Sequence, residues 1–513
     1  MGDSRQRHLN QALLRIPRRA ETADRATLTA TFVEAGSFSA MLHSTDHQIV
    51  YGRRGAGKTH ALLHLADLVE RTGDLVVYAD LRTIGASGGL YADSSLSPVV
   101  RGTHLLIDTL EALHEELLTA IVERDSAGGP GLLPALDALA EAATAVRVVG
   151  EVEQETKIGG TAESAYSAEF SRSPGAGVSG RQAVTAERSL RRRGTEQHHV
   201  VFGPVGRALR ALTRALAPAR LWLLLDEWSS VPIDLQPLLA DLLRRSVLPV
   251  TGITVKIAAI ERRSRFRAPS ASGDLQGIEV GADAASAVSL DDFMIFDGSR
   301  SRAREFFGRL FFNHASVRLA TMLADPPADA DAFVAECFRG TAFAELVRAA
   351  EGIPRDAINI AALAAQYAHD EPIGLREVRM AARDWYLRDK QAAIAAGEPA
   401  RLLLRALVDE VVGRRRSRTF LLEQAAGTGH ELVGDLVDAR LLHVLRRGLV
   451  DADHPGALYD GFAIDYGCYV SLLLDHDATV RPRDRGGWLS SPKGLPPDGF
   501  SFGKAVLDLS RLG

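Results

Sequence analysis

At 513 residues the chain is too long for one ordinary core, and at about 100 to 200 residues per domain roughly three modules are expected. Its composition, 46% hydrophobic and 24% charged, is that of a folded globular protein, and a net charge of −5 excludes a nucleic-acid footprint spread over the whole surface. Cys337 and Cys468 lie far apart, which excludes a disulfide framework or a cysteine metal cluster, so a reducing, cytoplasmic setting is expected. No apolar run approaches the roughly 20 residues that cross a bilayer, so no membrane partner is expected.

Residues 1–30 carry Arg5, Arg7, Arg15, Arg18 and Arg19 with little apolar periodicity and read as a basic arm or a peripheral helix. A short helix is expected over 36–42. Residues 47–59 then read His-Gln-Ile-Val-Tyr-Gly-Arg-Arg-Gly-Ala-Gly-Lys-Thr, a β-prone run followed by Gly52-x-x-x-x-Gly57-Lys58-Thr59. This is the pattern of a phosphate-binding loop. Glycines at 52, 55 and 57 let the backbone aim its amides at a phosphate chain, and the helix behind presents its positive end to the same anion. The loop residues Gly52, Arg53, Arg54, Gly55, Ala56, Gly57, Lys58, Thr59 and His60 are thus the candidate phosphate contacts. Lys58 is placed to reach the β- and γ-phosphates, and the Thr59 hydroxyl to hold Mg²⁺.

Leu62, Leu63, Leu65 and Leu68 give the following helix one broad apolar face, and residues 74–81 read as a buried strand, which makes a β-α-β start. A long amphipathic helix is predicted over 102–123. Regularity fades between 125 and about 200, which reads as an insertion. Val146, Val148 and Val152 suggest a β-ribbon there, and residues 188–193 form a basic knot. A helix over 205–216 leads into residues 220–228, Arg-Leu-Trp-Leu-Leu-Leu-Asp-Glu-Trp. Five apolar residues before two acids describe a central strand that delivers carboxylates to the catalytic edge of a parallel sheet. Asp226 is the candidate Mg²⁺ ligand and Glu227 the candidate general base.

Residues 253–260 read as the next strand, ending in Glu261-Arg-Arg-Ser-Arg-Phe-Arg267. From 290 to 388 the pattern is mainly helical, with Glu351-Gly-Ile-Pro-Arg355 opening one helix. Residues 401–475 hold two or three helices, one predicted over 432–445, and a Gly- and Asp-marked aromatic run at 456–470 that reads as a short hairpin. The segment from 481 is rich in Pro and Gly and is expected to be only partly ordered.

Gly52 to Thr59, Leu221 to Glu227 and the Gly-x-Pro-Arg element at Gly352 to Arg355 together resemble the AAA+ ATPases, and within them the origin-recognition and Cdc6-like branch. The resemblance spans roughly residues 31–475 in order of elements. It implies ATP and Mg²⁺ as cofactors, and it implies that Arg355 is sensor 2, reaching from a helical lid to the γ-phosphate. It also implies a winged-helix module over the C-terminal helices and hairpin. Three departures stand out. The interval between Lys58 and Asp226 is long, Glu261 and Arg262 stand where the family offers Asn, Ser or Thr as sensor 1, and Arg263, Arg265 and Arg267 are three rival candidates for an arginine acting in trans.

The expected architecture is α/β: a P-loop NTPase parallel sheet with helices on both faces, a helical lid and a winged-helix-like C-terminal module. Expected divisions are an arm at 1–30, a core at 31–285 with the insertion at about 125–200, a lid at 286–395, the C-terminal module at 396–480 and a tail at 481–513. The expected activity is hydrolysis of ATP to ADP and phosphate as a conformational switch, with Lys58, Glu227 and Arg355 as catalytic residues. A protein partner or a homo-oligomer is expected. Two other readings stay open: a DNA-engaged loader, which Arg414, Arg415, Arg416 and Arg418 favour and the net charge disfavours, and a signalling or genome-defence ATPase that oligomerises and acts through a partner.

Overall fold

The computed structural model describes residues 2–84, 91, 93, 95–123, 131–143, 146–149, 195–198, 202–269, 275–284, 286–294, 300–394, 397–415, 417–424, 428–450, 456–475 and 505–511. Five strands, β1 (Gln48–Tyr51), β2 (Leu75–Asp80), β3 (Leu221–Asp226), β4 (Ile253–Ala259) and β5 (Ser286–Ser289), form one sheet in the order β2-β3-β4-β1-β5. Every pairing in it is parallel. Parallel strands need crossover connections, and these helices cover both faces. Period-two alternation therefore divides each strand between two cores rather than between core and solvent: Val50, Val76, Trp222, Leu224 and Ala258 join one, and Ile49, Val77, Leu223, Leu225, Val255 and Ile257 the other. This is why 221–225 reads as an unbroken apolar run.

The helices α1 (Gly2–Leu14) and α2 (Lys58–Arg71) belong to the first core, and α3 (Pro98–Glu123) with the helices Leu132–Ala143 and Phe202–Leu216 belongs to the second. Within the insertion, Val146–Val149 pairs antiparallel with Thr195–His198; Val152 and the basic knot at 188–193 lie outside the described residues. The helical block that follows includes α4 (Arg300–Met322), α5 (Pro354–Ala368) and α6 (Leu375–Trp385). Helix α1 lies against α5 and α4, with Leu9, Ala12 and Leu13 buried. Two basic side chains of the first segment face the same block: Arg5 pairs with Glu336 at 2.8 Å and Arg7 with Asp370 at 2.6 Å.

The C-terminal module contains α7 (Glu398–Leu407), α8 (Thr428–Asp438) and α9 (Tyr466–Asp475) with β6 (Thr419–Glu423), β7 (Leu442–Val450) and β8 (Leu458–Ile464). Its sheet is antiparallel in the order β6-β8-β7 and has its own core around Phe420, Leu436, Leu442 and Phe462. The helix read over 432–445 stops at Asp438, because Arg440 adopts a left-handed φ of 62° and the chain turns into β7. Residues 466–470, read as part of a hairpin, instead open α9, so the hairpin runs from β7 to β8. Of the tail beyond 481, residues 481–504 lie outside the described residues.

Candidate active site

All carboxyl ends of the parallel strands meet at one edge of the sheet, the usual place for a ligand in such folds. There β1 runs into residues 52–57. Gly55 has φ +82° and Gly57 φ +104°, conformations that L side chains rarely adopt, and these two turns bring the chain round to the start of α2. The opening amides of α2, at Lys58, Thr59 and His60, have no intrahelical acceptor, whereas Ala61 already donates to the Gly57 carbonyl at 2.9 Å. Free amides and the helix dipole make this end a site for anions. Lys58 folds back over the loop, its Nζ donating to the carbonyls of Gly52 at 2.8 Å and Arg53 at 3.3 Å. Burial pushes its pKa down, and the nearby carboxylates Glu227, Asp226 and Asp291 oppose that shift.

At the end of β3, Asp226 is fully buried and its carboxylate is held twice: Oδ2 accepts from the Tyr78 hydroxyl at 2.8 Å and Oδ1 from the Glu227 amide at 2.7 Å. Burial, and then the Asp226 charge, push the Tyr78 pKa far up, so the phenol stays a proton donor. Glu227 takes φ 55° and ψ 38°, a left-handed conformation unusual for a glutamate, and this turns it out of the strand line toward the ligand edge.

From the helical block, the left-handed residues Glu351 and Gly352 and the N-terminal Pro354 of α5 place Arg355 against the loop: its amide donates to the Gly55 carbonyl at 3.2 Å. Burial lowers the Arg355 pKa, and Arg440 and Arg19 are neighbouring cations that add to it. A cavity of about 340 Å³ opens here, and Arg54, Gly55, Gly57, Lys58, Thr59, His60, Glu227 and Arg355 all line it. Asp226 lies behind it. Beside it is a smaller, apolar recess lined by Phe32, Phe38, Ala56, Leu310 and Pro354 among others, and shared by His60 and His314. Tyr78, behind the cavity, and Arg82, which lines it, carried no local sequence signal, and Arg18 and Arg19, read from the sequence only as part of a basic arm, line it too. They arrive from separate elements through tertiary packing.

Gly52 and Arg53 line a different recess, between the loop and the C-terminal module. The Arg53 guanidinium binds Asp291 at 3.0 Å, the Glu351 carbonyl at 3.2 Å and Nδ1 of His443 at 2.9 Å. Because a guanidinium can only donate, Nδ1 accepts, and the proton sits on Nε2, which donates to Asp465 at 3.0 Å. Asp465 and Asp356 share the buried Lys390, at 2.5 and 2.8 Å, and Arg440 pairs with Asp356 and Asp389. A continuous buried polar network thus runs from the 52–57 loop through β7 to Asp356, the neighbour of Arg355.

Glu261, just past the end of β4, pairs with Arg447 at 3.0 Å, and Arg262 packs against Gly434 of α8. Arg263 pairs with Asp438 and Arg267 with Glu279, whereas Arg265 is exposed and has no ion-pair partner among the described residues. In the C-terminal basic cluster Arg414 and Arg415 both pair with Glu410, Arg418 pairs with Glu351, and Arg416 lies outside the described residues. No helix among the described residues is long and apolar enough to cross a membrane.

Among solved structures, the chain is similar to the Orc1 protein of Aeropyrum pernix in complex with DNA, at 12% identity over 86% of this chain and 91% of that one, with a TM-score of 0.31. It is also similar to Cdc6p from Pyrobaculum aerophilum, at 11% identity over 89% of this chain and 99% of that one, with a TM-score of 0.33. The chain resembles archaeal Orc1 and Cdc6 proteins in fold. That likeness concerns the fold alone, and the chemistry of the cavity rests on this chain's own residues. No family model matches the sequence, and neither does any curated protein.

Proposed function

We propose that the chain binds ATP with Mg²⁺ and hydrolyses it to ADP and phosphate, using the bound nucleotide as a conformational switch. One observation carries the reading: the phosphate loop, Lys58, Thr59, Glu227 and Arg355 converge on one cavity at the carboxyl edge of a parallel sheet. The loop amides and Lys58 suit the phosphate chain, and the apolar recess beside them suits the face of a base.

Thr59 and Asp226 fit Mg²⁺, which takes one or two protein oxygens and completes its shell with phosphate and water; no larger acidic or histidine cluster of the kind a protein-caged metal needs occurs among the described residues. When bound, Mg²⁺ neutralises charge on the phosphate oxygens. The remaining work falls to the protein. Tyr78 and the Glu227 amide hold the Asp226 carboxylate in one orientation. Glu227 takes the proton of the attacking water, and Lys58 and Arg355 stabilise the charge that develops on the transferring group. Residues 31–285 then form the ATPase core, 286–395 the lid and 396–480 a winged-helix-like module, with Arg53 relaying lid and loop position to His443.

The test is steady-state ATP hydrolysis by the full chain, with and without duplex DNA at two salt concentrations. Lys58→Ala is expected to lose turnover, and Glu227→Gln to bind ATP while turning over at least about a hundredfold more slowly. Normal turnover in Glu227→Gln removes Glu227 as the base. The DNA-engaged reading takes its support from the Aeropyrum pernix Orc1–DNA complex, and the ion-paired state of Arg414, Arg415 and Arg418 weighs against it. Stimulation by DNA that fades with salt favours it; unchanged turnover favours a protein partner or a second copy of the chain.

A further inference from the structure

The segment between α1 and residue 25 crosses the mouth of the phosphate cavity and is anchored on both sides of it. On the lid side, α1 docks on α5, and Asn10 Nδ2 donates to the carbonyls of His369 at 2.6 Å and Glu371 at 3.0 Å. On the sheet side, Glu21 accepts from Arg82 at 2.9 Å, and Arg82 is itself bound to Asp80 at the end of β2. Asp24 then caps the helix Arg25–Thr31 through the Thr27 amide at 2.8 Å, and His60 of α2 bonds the Leu28 carbonyl at 2.8 Å.

Between these anchors Pro17, Arg18, Arg19 and Ala20 line the same cavity as Lys58, Thr59, Glu227 and Arg355. Arg18 and Arg19 are exposed, and among the described residues neither has an ion-pair partner; the same is true of Arg54 and Arg355. Five cations, counting Lys58, therefore face one another with Glu227 as the nearest unpaired acid. Like charges crowded around a cavity repel, and a bound polyanion relieves that repulsion. A guanidinium can also grip phosphate oxygens in a bidentate fork.

We propose that Arg18 and Arg19 are phosphate contacts supplied in cis, a strap that closes over the terminal phosphate of a nucleoside triphosphate bound on the chain's own phosphate loop. The proposal rests on the nucleotide-binding reading above. Because α1 ties the strap to α5, and α5 carries Arg355, strap and sensor arginine reach the terminal phosphate as one unit. The site then distinguishes triphosphate from diphosphate without help from a neighbouring subunit.

The experiment uses the full chain as wild type, Arg19→Ala, Arg18→Ala/Arg19→Ala, Arg19→Lys and Lys58→Ala, with calorimetric titration of Mg-ATP and Mg-ADP and hydrolysis rates across a range of protein concentrations. The alanine variants are expected to bind ATP about tenfold or more weakly while ADP affinity stays within about twofold, as for loss of one charge-assisted contact. Arg19→Lys should recover part of the loss, and the defect should be independent of protein concentration. Equal weakening for ATP and ADP, or no weakening of ATP binding, overturns the strap. So does rescue of Arg19→Ala turnover by added Lys58→Ala protein, because that places the arginine in trans. Nucleotide binding undiminished in Lys58→Ala overturns the underlying reading instead.

Discussion

Gly55 is where the helical block and the 52–57 loop touch, and its lack of a side chain is what allows them to. A Cβ there falls 2.6 Å from the Cβ of Arg355, in a backbone conformation of φ +82°. Gly57 shares the left-handed strain, with φ +104°, but a Cβ on it meets nothing within 4 Å. Both alanine variants carry a backbone penalty of about 1 kcal/mol, and only Gly55→Ala adds a clash with the lid. Gly55→Ala should therefore lower the thermal midpoint clearly more than Gly57→Ala and weaken ATP binding at least about tenfold; equal midpoints would show that lid and loop are not in contact. The residues of the loop, Asp226, Glu227 and Arg355 were legible in the sequence because each sits in a short motif whose spacing fixes its place on a strand end or helix start. Arg53 shows the limit of such a motif. The pattern specifies the backbone path of the loop, but not that this side chain leaves the phosphate side for Asp291 and His443. Tyr78, Arg18, Arg19 and Arg82 have no motif, since chain-distant packing alone brings them to the site.

The elements of the core were legible for the same physical reason that they fold: a sheet covered on both faces needs largely apolar strands, and 221–225 is unbroken while 253–260 is interrupted only by Thr254 and Lys256, both buried, Thr254 donating to the Thr45 carbonyl and Lys256 to those of Ser44 and Asp46. The error over 432–445 has a tertiary cause. The turn that ends α8 uses Arg440 in a left-handed conformation rather than a glycine, and its ion pairs with Asp356 and Asp389 help hold it there. No breaker residue marks the boundary. The network that holds this turn also locks the lid to the C-terminal module through Lys390, whose side chain, like those of Asp356 and Asp465, is almost wholly buried. The two carboxylates are held below their ordinary pKa: burial works in the opposite direction, and Lys390 leads the favourable charges that outweigh it. Lys390→Met leaves both acids short of their shared cation, which costs on the order of 3–5 kcal/mol when one member of a buried pair is removed. Arg388→Met, which removes an exposed pair with Asp384 at 3.3 Å, should cost less than about 1 kcal/mol. Urea unfolding followed by tryptophan fluorescence separates the two, because Trp385 donates to Asp356 at 3.1 Å and reports on the network itself. A Lys390→Met loss no larger than that of Arg388→Met would mean the network does not bear on stability.

At the scale of the whole molecule, one buried and four half-buried histidines among the described residues weaken the fold as the pH falls. Burial lowers the pKa of His47, His60, His64, His314 and His443 from an ordinary value of 6.5, and that of His314 to about 4. With folded values below unfolded ones, the unfolded chain binds more protons as pH falls below about 6.5, so stability is intact above that point and declines toward the folded values. His314 alone contributes on the order of 2 kcal/mol of this loss between pH 6.5 and 5. The carboxylates Asp356 and Asp465 act in a separate window, since their depressed values keep their contribution intact until pH falls below an unfolded value of 3.8. The thermal midpoint should therefore fall between pH 7 and 5, before Asp356 and Asp465 titrate, and a midpoint flat over that range would contradict the lowered values of these rings. His60 and His314 line the phosphate cavity, so a bound polyanion raises their folded pKa toward the unfolded value and narrows the difference in protons bound. Mg-ATP should consequently flatten the slope of midpoint against pH as well as raise the midpoint itself. An unchanged slope under saturating Mg-ATP would place the phosphate chain away from both histidines, whereas a flattened slope that disappears in Lys58→Ala ties the acid response of the whole fold to the occupancy of one loop.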